Sequence, residues 1–139
     1  MAVKRPRAVA GWILDKSAAA RAHLPDVRDQ LAPLAGSLYL CPVGELEQLY
    51  STKSAGDYDL RARQIRDVYL RAEPPVDLLD RALVLQHDLA RHHGMWHRLP
   101  IPDLLIAETA LHLGLGVLHV DRDYDRIAAV RPLIHRRVG

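Results

Sequence analysis

The chain has 139 residues, 49% of them hydrophobic and 26% charged, with 19 Lys+Arg against 17 Asp+Glu for a formal net charge of +2. That apolar fraction excludes a disordered chain, and the single Cys41 excludes a disulfide framework. The length suits one domain over residues 1–139, able to bury roughly 68% of the surface its unfolded chain exposes, and the near-neutral balance excludes a protein that coats nucleic acid by bulk charge.

Sixteen of the 19 basic residues are Arg, whose planar fork suits phosphate, although biased coding composition gives the same excess. The opening MAVKRPRAVAGWIL followed by SAAA has the outline of a secretory signal. Asp15 and Lys16 interrupt that outline, so the apolar run is read as a core strand. Later apolar stretches are broken before the length of about 20 residues that a membrane-spanning helix needs. A cytoplasmic location without a membrane partner is expected.

Residues 8–14, AVAGWIL, form a nearly continuous apolar run, the pattern of a strand buried on both faces. Ser17 offers a hydroxyl to cap a helix through SAAARAHL. A second helix starts at Pro25-Asp26, aligns Val27, Leu31 and Leu34, and stops at Gly36. LYLCPV at 38–43 reads as a strand, and Gly44 opens a helix carrying Glu45, Leu46, Leu49 and Tyr50. Residues 57–71 predict a charged, peripheral helix. After Pro74-Pro75, the spacing of Leu78, Ala82, Leu85 and Leu89 predicts an amphipathic helix over 77–93. MWHRLPIP is a loop, and Pro102-Asp103 opens an almost wholly apolar helix, expected to be central. VLHV at 117–120 reads as a strand, DRDYDRIAAV as a short helix, and LIHRRV as a last strand. Strands alternating with helices predict an α/β fold with a parallel sheet covered on both faces.

Two of these strands run into a carboxylate, WIL into Asp15 and VLHV into Asp121, with Asp123 and Asp125 close behind. Ligands of open α/β sheets bind outside the carboxyl ends of the strands, which puts Asp15 and Asp121 on one edge. Glu45 and Asp103 stand at helix beginnings, which reach that same edge. Four distant carboxylates are thus expected to converge. Singly, each such acid is more often a first-turn residue matched to the helix dipole. Together they repel and oppose ionisation unless a cation joins them. Oxygen ligands without Cys or paired His favour Mg²⁺ or Mn²⁺ over zinc, and such a metal promotes phosphodiester hydrolysis. Glu47 is assigned to solvent because Leu46 and Leu49 are expected to face the core, and Asp125 to an exposed helix face.

WILDKSA, GELEQLYS, PIPDLLIAETA and LHVDRDYDRIA, in this order, closely resemble the four acidic motifs of PIN-domain ribonucleases of the VapC toxin type. The resemblance runs from about residue 10 to residue 128. It implies a three-layer α/β/α fold with a central parallel sheet, and catalytic acids Asp15, Glu45, Asp103 and Asp121. It further implies metal ligation by Asp15, Asp103, Asp121 and the additional acid Asp123, with Mg²⁺ as cofactor and Mn²⁺ as a substitute. The implied activity is endonucleolytic cleavage of tRNA, rRNA or mRNA. The implied partners are a second copy of the chain and a cognate antitoxin, which silences the toxin in a hetero-oligomer. Lys16 stands where many relatives carry Thr or Ser. The alternative is a PIN-like module that binds RNA or protein without cleaving, against which the retention of all four acids argues. A phosphoacceptor receiver domain would bring an acidic pair beside its first strand and a late Lys, and neither is present.

Arg98, Arg122, Lys16 and Ser17 flank the motifs and are the candidates for RNA contact. His87, His92, His93 and His97 cluster, and His93 with His97 has i, i+4 spacing, but a zinc site would need a regular helix through Gly94 and further ligands. Trp96 is read as a packing anchor that leaves base stacking open. Arg5, Arg7, Arg136 and Arg137 lie near the termini, where charges are usually only solvated. Cys41 reads as a small buried hydrophobe. Setting the four expected site acids aside leaves 19 basic against 13 acidic residues, a formal +6 available to an RNA backbone.

Overall fold

A computed structural model describes residues 9–139, so the readings for residue 8, Arg5 and Arg7 fall outside the described residues. The elements in chain order are β1 Trp12–Leu14, α1 Lys16–Ala19, α2 Pro25–Leu31, β2 Leu38–Leu40, α3 Pro42–Tyr50, α4 Ala55–Val68 and β3 Leu70–Arg71. There follow α5 Leu78–His92, α6 Ile101–Leu113, β4 Gly116–His119, α7 Asp123–Ala128 and β5 His135–Arg137. The strands form one sheet in the order β3-β2-β1-β4-β5, with every pairing parallel.

The side-chain alternation of a strand divides the core between the two faces of this sheet. Trp12 and Leu14 of β1, with Leu118 of β4, pack against Ala18, Val27 and Leu31 beneath α1 and α2. Ile13 and Val117 point the other way, into Leu85, Leu89, Leu104, Ile106 and Ile127 beneath α5, α6 and α7. The expected three-layer α/β/α arrangement is therefore present. As expected, α6 is the most enclosed helix, with seven of the eight residues from Asp103 to Ala110 buried, all but Leu105. Gly114, at φ 68°, turns the chain out of α6 in the left-handed conformation that glycine adopts without strain. Gly116 then lets β4 close on β1, since a Cβ there would lie 2.5 Å from the Trp12 ring.

Several local expectations need correction. The first helix spans only Lys16–Ala19, and its N-cap is Asp15, whose carboxylate accepts from the Ala18 N–H, while Ser17 lies inside the helix. The third begins at Pro42, because proline's fixed φ suits the first helical turn. The fourth ends at Val68, and Leu70–Arg71 pairs with β2 as an edge strand. A two-residue exposed strand carries no alternation to reveal it. Within the loop before α6, Trp96–Arg98 forms a 3₁₀ turn. Helix α5 ends at His92 and Met95 is left-handed, so no regular helix joins His93 to His97. Trp96 instead packs against the core, its ring centroid 5.2 Å from His92 and 5.1 Å from His93. Among the described residues no helix is long and apolar enough to cross a membrane.

Candidate active site

The sheet order has its switch point at β1, which leads to β2 on one side and lies beside β4 on the other. The connections leaving β1 and β4 go to opposite faces of the sheet, to α1 on one and α7 on the other, and the crevice between them is where such folds hold ligands. Asp15 follows β1 directly, and Asp121 stands two residues past β4. Asp103 enters from the first turn of α6. One carboxylate oxygen from each of the three lies within 4.8 Å of the others, the one such metal-sized group among the described residues.

Each acid is held in place by local structure. The Ser17 hydroxyl donates to Asp15 Oδ1 at 2.6 Å and the Ala18 N–H donates to the same oxygen at 3.1 Å. Asp121 Oδ1 accepts from the Asp123 N–H at 2.8 Å, so the start of α7 fixes the Asp121 side chain. Asp103 Oδ2 is buried without a hydrogen-bond partner among the described residues.

Crowding and burial disfavour charge in this cluster. Burial, then Asp121, Asp123 and Asp15, push the Asp103 carboxyl up to about 8. Burial raises Asp15 too, opposed by the hydrogen bonds from Ser17 and Ala18. Asp123 is raised by burial and by its contact with Asp121. The buried Tyr124 hydroxyl faces Asp15, Asp103 and Asp121, and its ionisation is driven well above the ordinary range by burial and by those acids. Burial lifts the Cys41 thiol to about 11, so it remains protonated and no nucleophile.

Glu45 does not join the cluster. It lies half-buried on the β3 side of α3, its Oε1 3.8 Å from Arg71 Nη1. The helix that begins at Pro42 turns Val43, Gly44, Glu47 and Gln48 inward and leaves Leu46 68% exposed. Glu47, expected in solvent, therefore sits where the Asp15 charge and the Lys16 ammonium both act on it, and burial raises its carboxyl. Its Oε1 is buried and without a partner among the described residues. The missed signal was the i, i+4 pairing of Val43 with Glu47 and of Gly44 with Gln48.

The remaining candidates surround this centre. Lys16 is exposed on the Glu47 side, Ser17 is half-buried against Asp15, and Arg98 and Arg122 are exposed before α6 and α7. Asp125 is exposed as expected, with Oδ1 3.7 Å from His135 Nε2. Arg136 is not freely solvated, since its guanidinium lies 4.5 Å from the Trp12 ring centroid.

The donor set fits a hard divalent cation: three convergent carboxylates, an unpartnered buried oxygen and no thiolate. Such a cation relieves the mutual repulsion that raises Asp103 and Asp15.

Comparison with known proteins agrees with this geometry. The PIN domain family model matches residues 9–130. Ribonuclease VapC17 of Mycobacterium tuberculosis (strain ATCC 25618 / H37Rv) is 54% identical over 87% of this chain and 90% of its own length. Ribonuclease VapC21 of the same strain is 40% identical over 86% of this chain and 87% of its own. In the solved structure of VapBC2 from Rickettsia felis bound to a DNA fragment from its promoter, one chain superposes with a TM-score of 0.73 at 15% identity. That match covers 92% of this chain and 98% of the other. A member of the VapBC family of toxin-antitoxin systems, VapBC-5 from Mycobacterium tuberculosis, gives a TM-score of 0.66 at 19% identity, covering 93% of this chain and 99% of that one. With its acids gathered at the sheet's switch point and a match across nearly the whole chain, this protein belongs to the PIN-domain family, in its VapC branch.

Proposed function

We propose that this chain is a Mg²⁺- or Mn²⁺-dependent endoribonuclease toxin that hydrolyses RNA phosphodiester bonds at the Asp15, Asp103 and Asp121 cluster. The observation that carries the reading is the convergence of three carboxylate oxygens within 4.8 Å of one another on the crevice of a parallel sheet. The ribonuclease names of relatives at 54% and 40% identity support it.

Asp15, Asp103 and Asp121 would hold the cation, and Asp123, expected as a fourth ligand, lies outside that group as a neighbouring acid whose backbone N–H holds Asp121. When bound, the cation supplies activation of water and neutralisation of charge on the scissile phosphate. Ser17 keeps Asp15 aimed into the crevice. Glu47 takes the role that the sequence motif suggested for Glu45, that of a carboxylate beside Asp15 able to accept a proton from the attacking water. Lys16, Arg98 and Arg122 supply positive charge to the RNA backbone around the acids.

The same reading extends to partners. Solved relatives of this fold include VapBC complexes and a toxin-antitoxin family member. Exposed Leu46 and Tyr50 on α3, and Leu79 and Leu83 on α5, give apolar surface for a second copy of the chain and for an antitoxin.

The test is incubation of the purified, antitoxin-free chain with total RNA in Mg²⁺, Mn²⁺ or EDTA. Discrete fragments in either metal, absent in EDTA and with Asp103→Asn, are expected. Fragments that persist with Asp103→Asn overturn the site, and RNA binding without fragments in any metal favours the non-catalytic module.

A further inference from the structure

Beside the acidic cluster, α1, α3 and α4 line a half-open cavity of about 390 Å³ that shares Lys16 and Glu47 with the proposed site and whose other walls that chemistry leaves unused. Its lining includes Lys16, His23, Glu47, Gln48, Ser51 and Arg61, with alanines of the α1 segment as its apolar part. The volume lies in the range of sites that enclose a small molecule. Two features mark it as a polar binding site. Glu47 and Gln48 contribute a carboxylate and an amide to its wall, and Glu47 Oε1 has no partner among the described residues, where a polar group so placed normally has one. The same wall carries the cations Lys16 and Arg61, with His23 as a further polar group.

We propose that this cavity holds one unstacked nucleotide of the RNA, adjacent to the phosphodiester positioned at Asp15. This deepens the ribonuclease reading and rests on it. Lys16 follows Asp15 in the chain, and Glu47 belongs to both the cavity wall and the surroundings of Asp15, so the cavity adjoins the acidic cluster. Lys16 and Arg61 match a phosphate, Arg61 with a planar fork. Gln48 carries donor and acceptor in one group and suits a base edge. The small alanine side chains admit a flat base and provide no deep socket for a large apolar anchor of a protein partner. A cavity of this size cannot admit a duplex, so the RNA must be single-stranded there with its base splayed out.

The experiment is an NMR titration of the ¹⁵N-labelled full chain with the four nucleoside 5′-monophosphates, with inorganic phosphate and an acidic hexapeptide in parallel arms. Nucleotides are expected to shift the Ala19, Ala20 and Ala22 amides and the Gln48 side-chain amide. Arg61→Gln is expected to weaken binding about tenfold, the loss of one charge-assisted hydrogen bond, and Gln48→Leu to change the ranking among the four bases. Both variants should keep the wild-type spectrum elsewhere. Shifts confined to other regions, a response to phosphate equal to that of every nucleotide, or a response to the peptide alone overturn the proposal. RNA cleavage separates the two readings. If the wild-type chain cuts RNA, Arg61→Gln should raise KM about tenfold with kcat nearly unchanged, and an unchanged KM with no nucleotide shifts overturns the cavity assignment alone. If it cuts no RNA while nucleotides still shift the cavity, the ribonuclease reading falls and the nucleotide site stands.

Discussion

Ser17 donates its hydroxyl proton to Asp15 Oδ1 at 2.6 Å while its oxygen accepts the Val120 N–H at 2.9 Å, so one side chain ties the end of β1 to the end of β4. Those two strand ends carry Asp15 and Asp121, and the hydroxyl therefore sets the width of the crevice between them. Ser17→Ala leaves the Val120 N–H and one Asp15 contact unmade. A stability loss of about 1–2 kcal/mol is expected in urea unfolding. Affinity for Mn²⁺, measured by calorimetry, is expected to fall about tenfold, as for other residues that orient metal ligands. Ser17→Thr, which keeps the hydroxyl, should recover most of both.

The Asp103 carboxyl gives the metal-free chain a pH dependence of defined sign. Its ordinary value is 3.8 and burial among other acids pushes it to about 8. Between these values the folded chain holds a proton that the unfolded chain has lost, so Asp103 makes stability fall as pH rises toward 8. In EDTA, the difference in Tm between Asp103→Asn and wild type should widen in favour of the variant from about pH 5 to about pH 8. Mg²⁺ at pH 8 should raise the Tm of the wild type far more than that of the variant. Calorimetry near neutral pH should show a proton released on metal binding, as a binding heat that varies with the buffer's ionisation enthalpy.

The two sheet-edge aspartates were legible because a strand buried on both faces makes a long apolar run, and the first charge after it marks the carboxyl end. Asp103 was legible for a similar reason, as the one charge in the first two turns of an almost wholly apolar helix. Glu45 and Glu47 were harder, since both follow β2 closely and the choice depends on which face of α3 meets the sheet. That face is set by a helix start at Pro42, whereas the sequence reading began the helix at Gly44 and turned Leu46 inward. β3 escaped notice because its two exposed residues are held by backbone pairing to β2, which leaves no apolar imprint. The pairing of His119 with His135 was also invisible, because it depends on the register of β4 against β5.

The assignment of α3 yields a direct comparison of two glutamates two residues apart. Glu47→Gln removes a carboxylate that borders Asp15 and is expected to lower kcat about a hundredfold, within the range for a lost general base. Glu45→Gln only weakens a partly exposed pair with Arg71, worth at most about 1 kcal/mol, and kcat should change less than about threefold. Fragment yields from total RNA under initial-rate conditions distinguish the two. A larger loss at Glu45 than at Glu47 would return the catalytic role to Glu45.

The last prediction concerns His119, buried in β4 two residues before Asp121. Its Nδ1 faces the Asp121 backbone N–H at 3.1 Å, and because that group can only donate, Nδ1 accepts. The neutral ring therefore carries its proton on Nε2, which donates to His135 Nδ1 at 2.9 Å. His135 then bears its own proton on Nε2, directed at Asp125 Oδ1 3.7 Å away. Protonating His119 would put a second donor against the Asp121 N–H in a buried place, and burial, followed by His135, lowers its pKa below the ordinary 6.5. Below that value the unfolded chain binds a proton that the folded chain resists, so His119 lowers stability as pH falls through 6.5, the sense opposite to Asp103. His119→Asn presents an amide oxygen in the place of Nδ1 and cannot titrate. It should retain the hold on Asp121, bind Mn²⁺ within a few-fold of wild type, and lose less stability than wild type between about pH 6.5 and pH 5. His119→Leu, without the acceptor, should lose the same pH dependence and bind Mn²⁺ about tenfold or more weakly. Equal Mn²⁺ affinity in the Asn and Leu variants would show that the Asp121 backbone needs no such anchor.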